Sequence, residues 1–124
     1  MKTLLVLAAV VAAAAVTPLT LPGAPAGAGF DDLRFSPELG KLLAPGGRSG
    51  RLYLVDPKTG AVESIEGFTA AAQGGSGHSE GTTSADFGDG FIFASDRNDR
   101  TLVVVDPAAK RIVAREKLGA GRSE

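Results

Sequence analysis

The sequence predicts an all-β fold made of two four-stranded antiparallel units, and three observations predict it. The first is a repeat: Arg51 to Pro57, RLYLVDP, returns fifty residues later as Thr101 to Pro107, TLVVVDP. Laid over 90–115 without a gap, residues 40–65 match at Gly40/Gly90, Ala44/Ala94, Leu52/Leu102, Val55/Val105, Asp56/Asp106 and Pro57/Pro107. Leu42/Ile92, Leu43/Phe93, Leu54/Val104 and Val62/Ile112 are conservative pairs. The second is punctuation: turn signals rich in Pro, Gly and Asp divide short apolar runs at a spacing of about 8–12 residues, as in all-β domains. The third is that no stretch of useful length places its apolar residues at the helical period.

Residues 1–26 read as a signal peptide. Lys2 supplies a positive start, and Leu4 to Val16 is an uncharged apolar run too short for an ordinary membrane span. Ala24-Pro25-Ala26 puts small residues at the −3 and −1 positions of a cleavage site after Ala26. The expected product, residues 27–124, is exported to the periplasm or the extracellular space and keeps no stable membrane anchor. Lys and Arg number 13 against 14 Asp and Glu, a formal net charge of −1, which gives no footing for a nucleic-acid partner. With no Cys, a disulfide framework and thiol chemistry are excluded.

Each element then has a local reason. Phe30 to Phe35 is expected as a first strand, closed by the Ser36-Pro37-Glu38-Leu39-Gly40 turn. Lys41 to Ala44 is a short strand that Pro45-Gly46-Gly47 ends. Arg51 to Val55 is apolar on both faces, the pattern of a strand with layers packed on each side. Asp56-Pro57-Lys58-Thr59-Gly60 is a strong turn signal, after which Ala61 to Gly67 resumes as a strand with Val62 and Ile65 inward. Residues 68–81 form a Gly-rich loop, with a helical turn expected over Ala70–Gln73. Strands follow at Thr82–Phe87, Phe91–Ser95, Thr101–Val105 and Arg111–Lys117, separated by polar turns. The units are thus 27–67 and 82–124. Asp56 and Asp106 hold equivalent turn positions, where an Asp accepts from the backbone N–H two residues on, a structural role.

Sheet units that recur at this period point to blades of a β-propeller. FIFASDRNDRTLVVVDPAAKRIVAREKLG resembles a YVTN-type β-propeller repeat: a strand, a polar Asn- and Asp-bearing turn, a strand ending in V-D-P, and a strand leading to Gly. RLYLVDPKTGAVESI matches the same half-blade. The resemblance covers residues 40–67 and 82–119 and departs from the family at Pro45-Gly46-Gly47. It implies two propeller-type blades, an incomplete β-propeller, since a ring takes about four to eight. Two open faces and exposed edge strands are a hazard, so the expectation is a fragment of a larger propeller, needing further blades or self-association.

Chemistry is sparse. Gly77-His78-Ser79-Glu80-Gly81 matches G-x-S-x-G, but no strand precedes it, no helix follows it, and His78 is the only His in the chain. No catalytic residue is assigned. Glu80-Gly81 is also similar to the E-G-P segment of the gluconolactonase and senescence-marker family, with Thr82 where that family has Pro. That weaker resemblance implies a divalent metal in a propeller channel, with Glu80 as a ligand. His78, at the entrance to an innermost strand, is a candidate metal or haem ligand; in a Gly-rich loop it is more ordinarily a solvated residue. Asp96, Asn98 and Asp99 lack the Gly and Glu of a calcium loop and read as a polar hairpin. The expected function is an exported β-propeller segment acting as a binding or scaffold module for an unidentified protein or small-molecule ligand. The alternative is part of a metal-dependent lactonase-like or other periplasmic propeller enzyme.

Overall fold

The computed structural model describes residues 14–70 and 80–119. Among them are eight strands: β1 (Arg34–Ser36), β2 (Lys41–Pro45), β3 (Ser49–Val55), β4 (Val62–Ala70), β5 (Thr82–Gly88), β6 (Phe91–Asp96), β7 (Thr101–Asp106) and β8 (Arg111–Lys117). They form two four-stranded antiparallel sheets, β1-β2-β3-β4 and β5-β6-β7-β8. Each sheet is a meander in which neighbours in sequence are neighbours in space, the layout that short turns permit.

The sequence repeat reappears in the hydrogen-bond register. Leu42, Leu43, Ala44 and Pro45 face Val55, Leu54, Tyr53 and Leu52. Fifty residues on, Ile92, Phe93, Ala94 and Ser95 face Val105, Val104, Val103 and Leu102. The first strands agree as well: Arg34 and Phe35 pair with Leu43 and Leu42, and Asp86 and Phe87 with Phe93 and Ile92.

Alternation along the strands then sorts side chains between faces. The first sheet turns Leu43, Leu52, Leu54 and Ile65 toward the second, which answers with Ala85, Ile92, Ala94, Val103 and Val105 in one buried cluster. Leu43, Leu52, Ile65, Ile92, Val103 and Val105 are fully buried there. Backbone and side-chain hydrogen bonds stitch the layers. Gly47 N–H donates to the Thr82 carbonyl at 3.0 Å, and Asp32 N–H donates to the Thr83 carbonyl at 3.2 Å. Asp96 Oδ2 accepts from Thr69 N–H at 2.7 Å. At the crossing, Gly81 has φ of +66°, and a Cβ there would overlap the Gly47 carbonyl oxygen. Only glycine allows that approach.

The other face of the first sheet carries Ala44, Tyr53 and Val55, all buried although outside the inter-sheet cluster. What covers them is not another sheet. Tyr53 Oη donates to the Pro22 carbonyl at 3.1 Å, Leu19 Cδ2 lies close over Gly60, and the Arg51 side chain lies against Gly23. Residues 14–33 are therefore a strap that lays Leu19, Pro22 and Gly23 on that face and then carries Asp32 to the edge of the second sheet. The both-faced apolar pattern of Arg51–Val55 is met by one sheet and one irregular segment.

Several boundaries differ from expectation, each for a local reason. The first strand starts at Arg34, not Phe30, because Asp32 bonds the edge of the other sheet instead. β2 takes in Pro45, one residue more than expected, before the turn that Gly46 N–H closes onto the Arg51 carbonyl at 2.9 Å. A register shift between Ser49 and Arg51 lets β3 begin at Ser49. β4 runs to Ala70, three residues into the expected loop, because Ser49 pairs with Ala70. Val62 and Ile65 do not share a face: Val62 pairs with Val55, and Ile65 with Leu52 in the core. Of the expected helical turn, Ala70 is strand and residues 71–73 lie outside the described residues.

Leu52 sits at the centre of the inter-sheet cluster with no exposure. Leu52→Ala is expected to cost about 2–5 kcal/mol, measured as a lower midpoint in urea unfolding.

Candidate binding surface

The second sheet repeats the apolar pattern of the first, but among the described residues only Asp32, Leu33 and Arg34 reach its outward face, and no second sheet lies on it. Phe93 and Leu102 stand where the first sheet has Leu43 and Leu52; those leucines are 0% exposed, while Phe93 and Leu102 are 38% and 36% exposed. Phe91 is exposed beside them. The face is thus a core-type surface without its second layer.

A cleft of about 400 Å³ opens on it, with Phe93 and Leu102 among its apolar walls. Ser84, Ser95, Asp86, Arg34 and Asp32 line the rest. The hydroxyls are already organised. Ser95 Oγ lies 3.0 Å from Thr83 Oγ1 and 2.9 Å from Ser84 Oγ, and it accepts from Ser84 N–H at 3.1 Å. Arg34 Nε pairs with Asp86 Oδ1 at 2.7 Å across the two sheets, and both side chains are more than half exposed. Asp32 and Asp86 are the carboxylates among the described residues lining the cleft, and Asp86 is engaged by Arg34. The arrangement suits binding: an apolar floor with a few polar groups at one rim.

Asp96, on the inner side of the second sheet and outside the cleft, is a buried polar residue that the sequence concealed. It reads as the start of a polar hairpin, yet it is 1% exposed. Its Oδ2 accepts from Thr69 N–H, with Arg115 Nη1 3.9 Å away. The register sets Thr82 and Thr101 on either side of it. Its Oδ1 and the Thr82 and Thr101 hydroxyls are buried with no hydrogen-bond partner. One signal was available: at the repeat offset Asp96 aligns with Gly46, whose ideal Cβ would come 2.6 Å from Tyr53 Cε2, so this is an interior position in both units. Asn98 and Asp99 do belong to the turn. Asn98 Oδ1 accepts from Gly81 N–H, and Lys117 Nζ donates to Asp99 Oδ1 at 2.8 Å.

The two equivalent aspartates behave as expected. Asp56 Oδ1 accepts from Lys58 N–H at 2.8 Å, and Asp106 Oδ1 accepts from Ala108 N–H at 2.9 Å. The Lys58 N–H bond, ahead of the other causes, holds the Asp56 carboxyl below its usual value.

Glu80 lies half-buried just ahead of β5, with Oε2 buried and unpartnered. Among the described residues no group of three His, Asp or Glu side chains converges on it or elsewhere to hold a metal. A single carboxylate oxygen is far short of the six or so a hard cation wants, so the described residues do not fit the divalent metal that the lactonase resemblance implies. His78 lies outside the described residues. The Glu80-Gly81 end of the G-x-S-x-G string runs straight into β5, not into a helix. No helix of the described residues is long and apolar enough to cross a membrane. No protein-family model, curated protein or solved structure matches this chain.

Two outcomes follow from these contacts. Asp96→Ala leaves the Thr69 N–H without its acceptor and is expected to destabilise the fold by about 1–3 kcal/mol, read from chemical denaturation. Glu63 bridges Lys110 at 2.6 Å and Lys41 at 3.8 Å, and the Lys110 hydrogen bond is the main cause that holds its carboxyl below the usual 4.5. A depressed folded value means this contribution is complete above pH 4.5 and is lost as pH falls through the lower folded value. Thermal melts between neutral and acidic pH should therefore show a fall beginning near that point. Glu63→Gln should make the fall shallower, leaving the parts due to Asp56 and Asp99.

Proposed function

We propose that the chain is an exported segment of a β-propeller that works as a binding or scaffold module. The observation that carries this reading is the outward face of the second sheet, where Phe93 and Leu102 lie partly exposed at positions whose counterparts, Leu43 and Leu52, are core, with Phe91 exposed beside them. A sheet face of that kind is a place to receive another layer, and the cleft beside it supplies polar rim groups for register. The shared register of the two sheets supports their reading as successive blades of one ring. Export rests on the pattern of residues 1–26.

Two measurements test the reading. Cell fractionation with N-terminal sequencing of the expressed chain should find it outside the cytoplasm and starting at Gly27; a cytoplasmic, uncut product removes the exported part. The dye 1-anilinonaphthalene-8-sulfonate should bind the folded full chain with enhanced fluorescence. Phe93→Glu and Leu102→Glu should each weaken that signal at an unchanged circular dichroism spectrum. Dye binding indifferent to both substitutions removes this face as the binding surface.

A further inference from the structure

We infer that the open face of the second sheet is the seat for the first sheet of a second copy of this chain, joined head to tail, and that the strap of residues 14–33 holds the matching surface closed. This deepens the module reading and rests on it.

The template is inside the molecule. The inter-sheet core joins a face bearing Leu43, Leu52 and Leu54 to a face bearing Ile92, Ala94, Val103 and Val105. At the fifty-residue offset, the equivalents of the first set are Phe93, Leu102 and Val104, which point outward on the second sheet. The equivalents of the second set are Leu42, Ala44, Tyr53 and Val55, on the outward face of the first sheet. The two outward faces therefore repeat the two halves of the interface that the chain already makes once, apolar at each of these positions, except that Ile65, opposite Leu52, is replaced by exposed Glu116 opposite Leu102 at the rim of the second sheet.

Charge agrees. Arg34 and Asp86 hold equivalent places, one opposite Leu43 and the other opposite Phe93, and they pair at the exposed edge where β1 meets β5. Stacking a second copy in the same sense brings Asp86 of one chain to Arg34 of the next, again opposite in sign. The outer pair, Glu63 with Lys110, has Val113 and Gly60 at the equivalent places, so no like charges meet there.

The strap is a poor substitute for a sheet. Val16 and Leu19 within it are 93% and 45% exposed, and Tyr53 Oη donates to the Pro22 carbonyl where the strap meets the sheet face. Its first part, through Ala26, is the portion that the sequence expects to be removed. Once it is gone, the surface around Tyr53 is open to the partner. A heterologous contact of this kind closes into a ring when its rotation allows. With two sheets per chain, rings of about four to eight blades take about two to four copies.

The test uses the full chain with a protease recognition sequence between Ala26 and Gly27, followed by light scattering and circular dichroism. The uncut protein should be a monomer. The cut protein should keep its β spectrum and rise two- to fourfold in mass. Phe93→Glu blocks one face and Leu42→Glu the other, so each cut variant should stay monomeric, while a 1:1 mixture should give a dimer and nothing larger. Leu102→Glu and Val62→Glu serve in the same way if either first choice fails to fold. A folded cut chain that stays monomeric, variants that assemble unchanged, or a mixture that stays monomeric each overturns the inference and leaves the stacked-repeat module standing. A chain with no β spectrum even before cutting would remove the module reading itself, and loss of that spectrum on cutting would show the strap to be part of the fold's core, against the inference.

Discussion

Every feature of this structure depends on one constraint: each sheet is apolar on both faces, and water penalises each face left open. Residues 52–55 carry the constraint most plainly. Four consecutive apolar side chains alternate between two sides, and all four are buried. The inner sides of the two sheets solve the problem together. The outer side of the first is met by the strap, and the outer side of the second is left half open, which is why the candidate binding surface lies there.

The junction between the sheets is also where polar groups are buried. Gly81, whose Cβ would overlap the Gly47 carbonyl, lets the backbones approach closely enough for the Gly47–Thr82 bridge. Asp96 enters the same layer and holds the Thr69 N–H. A buried carboxylate is costly unless satisfied, so its value lies in fixing how β4 meets the second sheet rather than in raw stability. Around the rim, exposed pairs such as Lys117 with Asp99 add little energy singly.

The all-β class and the two-unit division were legible because the repeat and the turn chemistry are local. Asp-Pro turns, Gly in left-handed positions and the V-D-P strand ends each act over a few residues, and the structure has them where the residues place them. The failures have a different origin. Asp96 looks like a hairpin residue because its charge speaks for solvent, and only the partner sheet makes it interior. The length of β4 depends on Ser49 reaching Ala70, a pairing across the sheet that no local pattern announces. The strap was invisible for the same reason as Asp96: residues read as a leader gave no sign that Pro22 would sit on Tyr53.

That last contact gives the molecule a built-in optical reporter. The chain has one Tyr and no Trp, so its near-ultraviolet emission originates at Tyr53. The ring has no exposure, and its hydroxyl is held by the Pro22 carbonyl. Whatever lifts the strap, or replaces it with another layer, changes the surroundings of that single chromophore, so the state of the covered face can be followed without attaching a label.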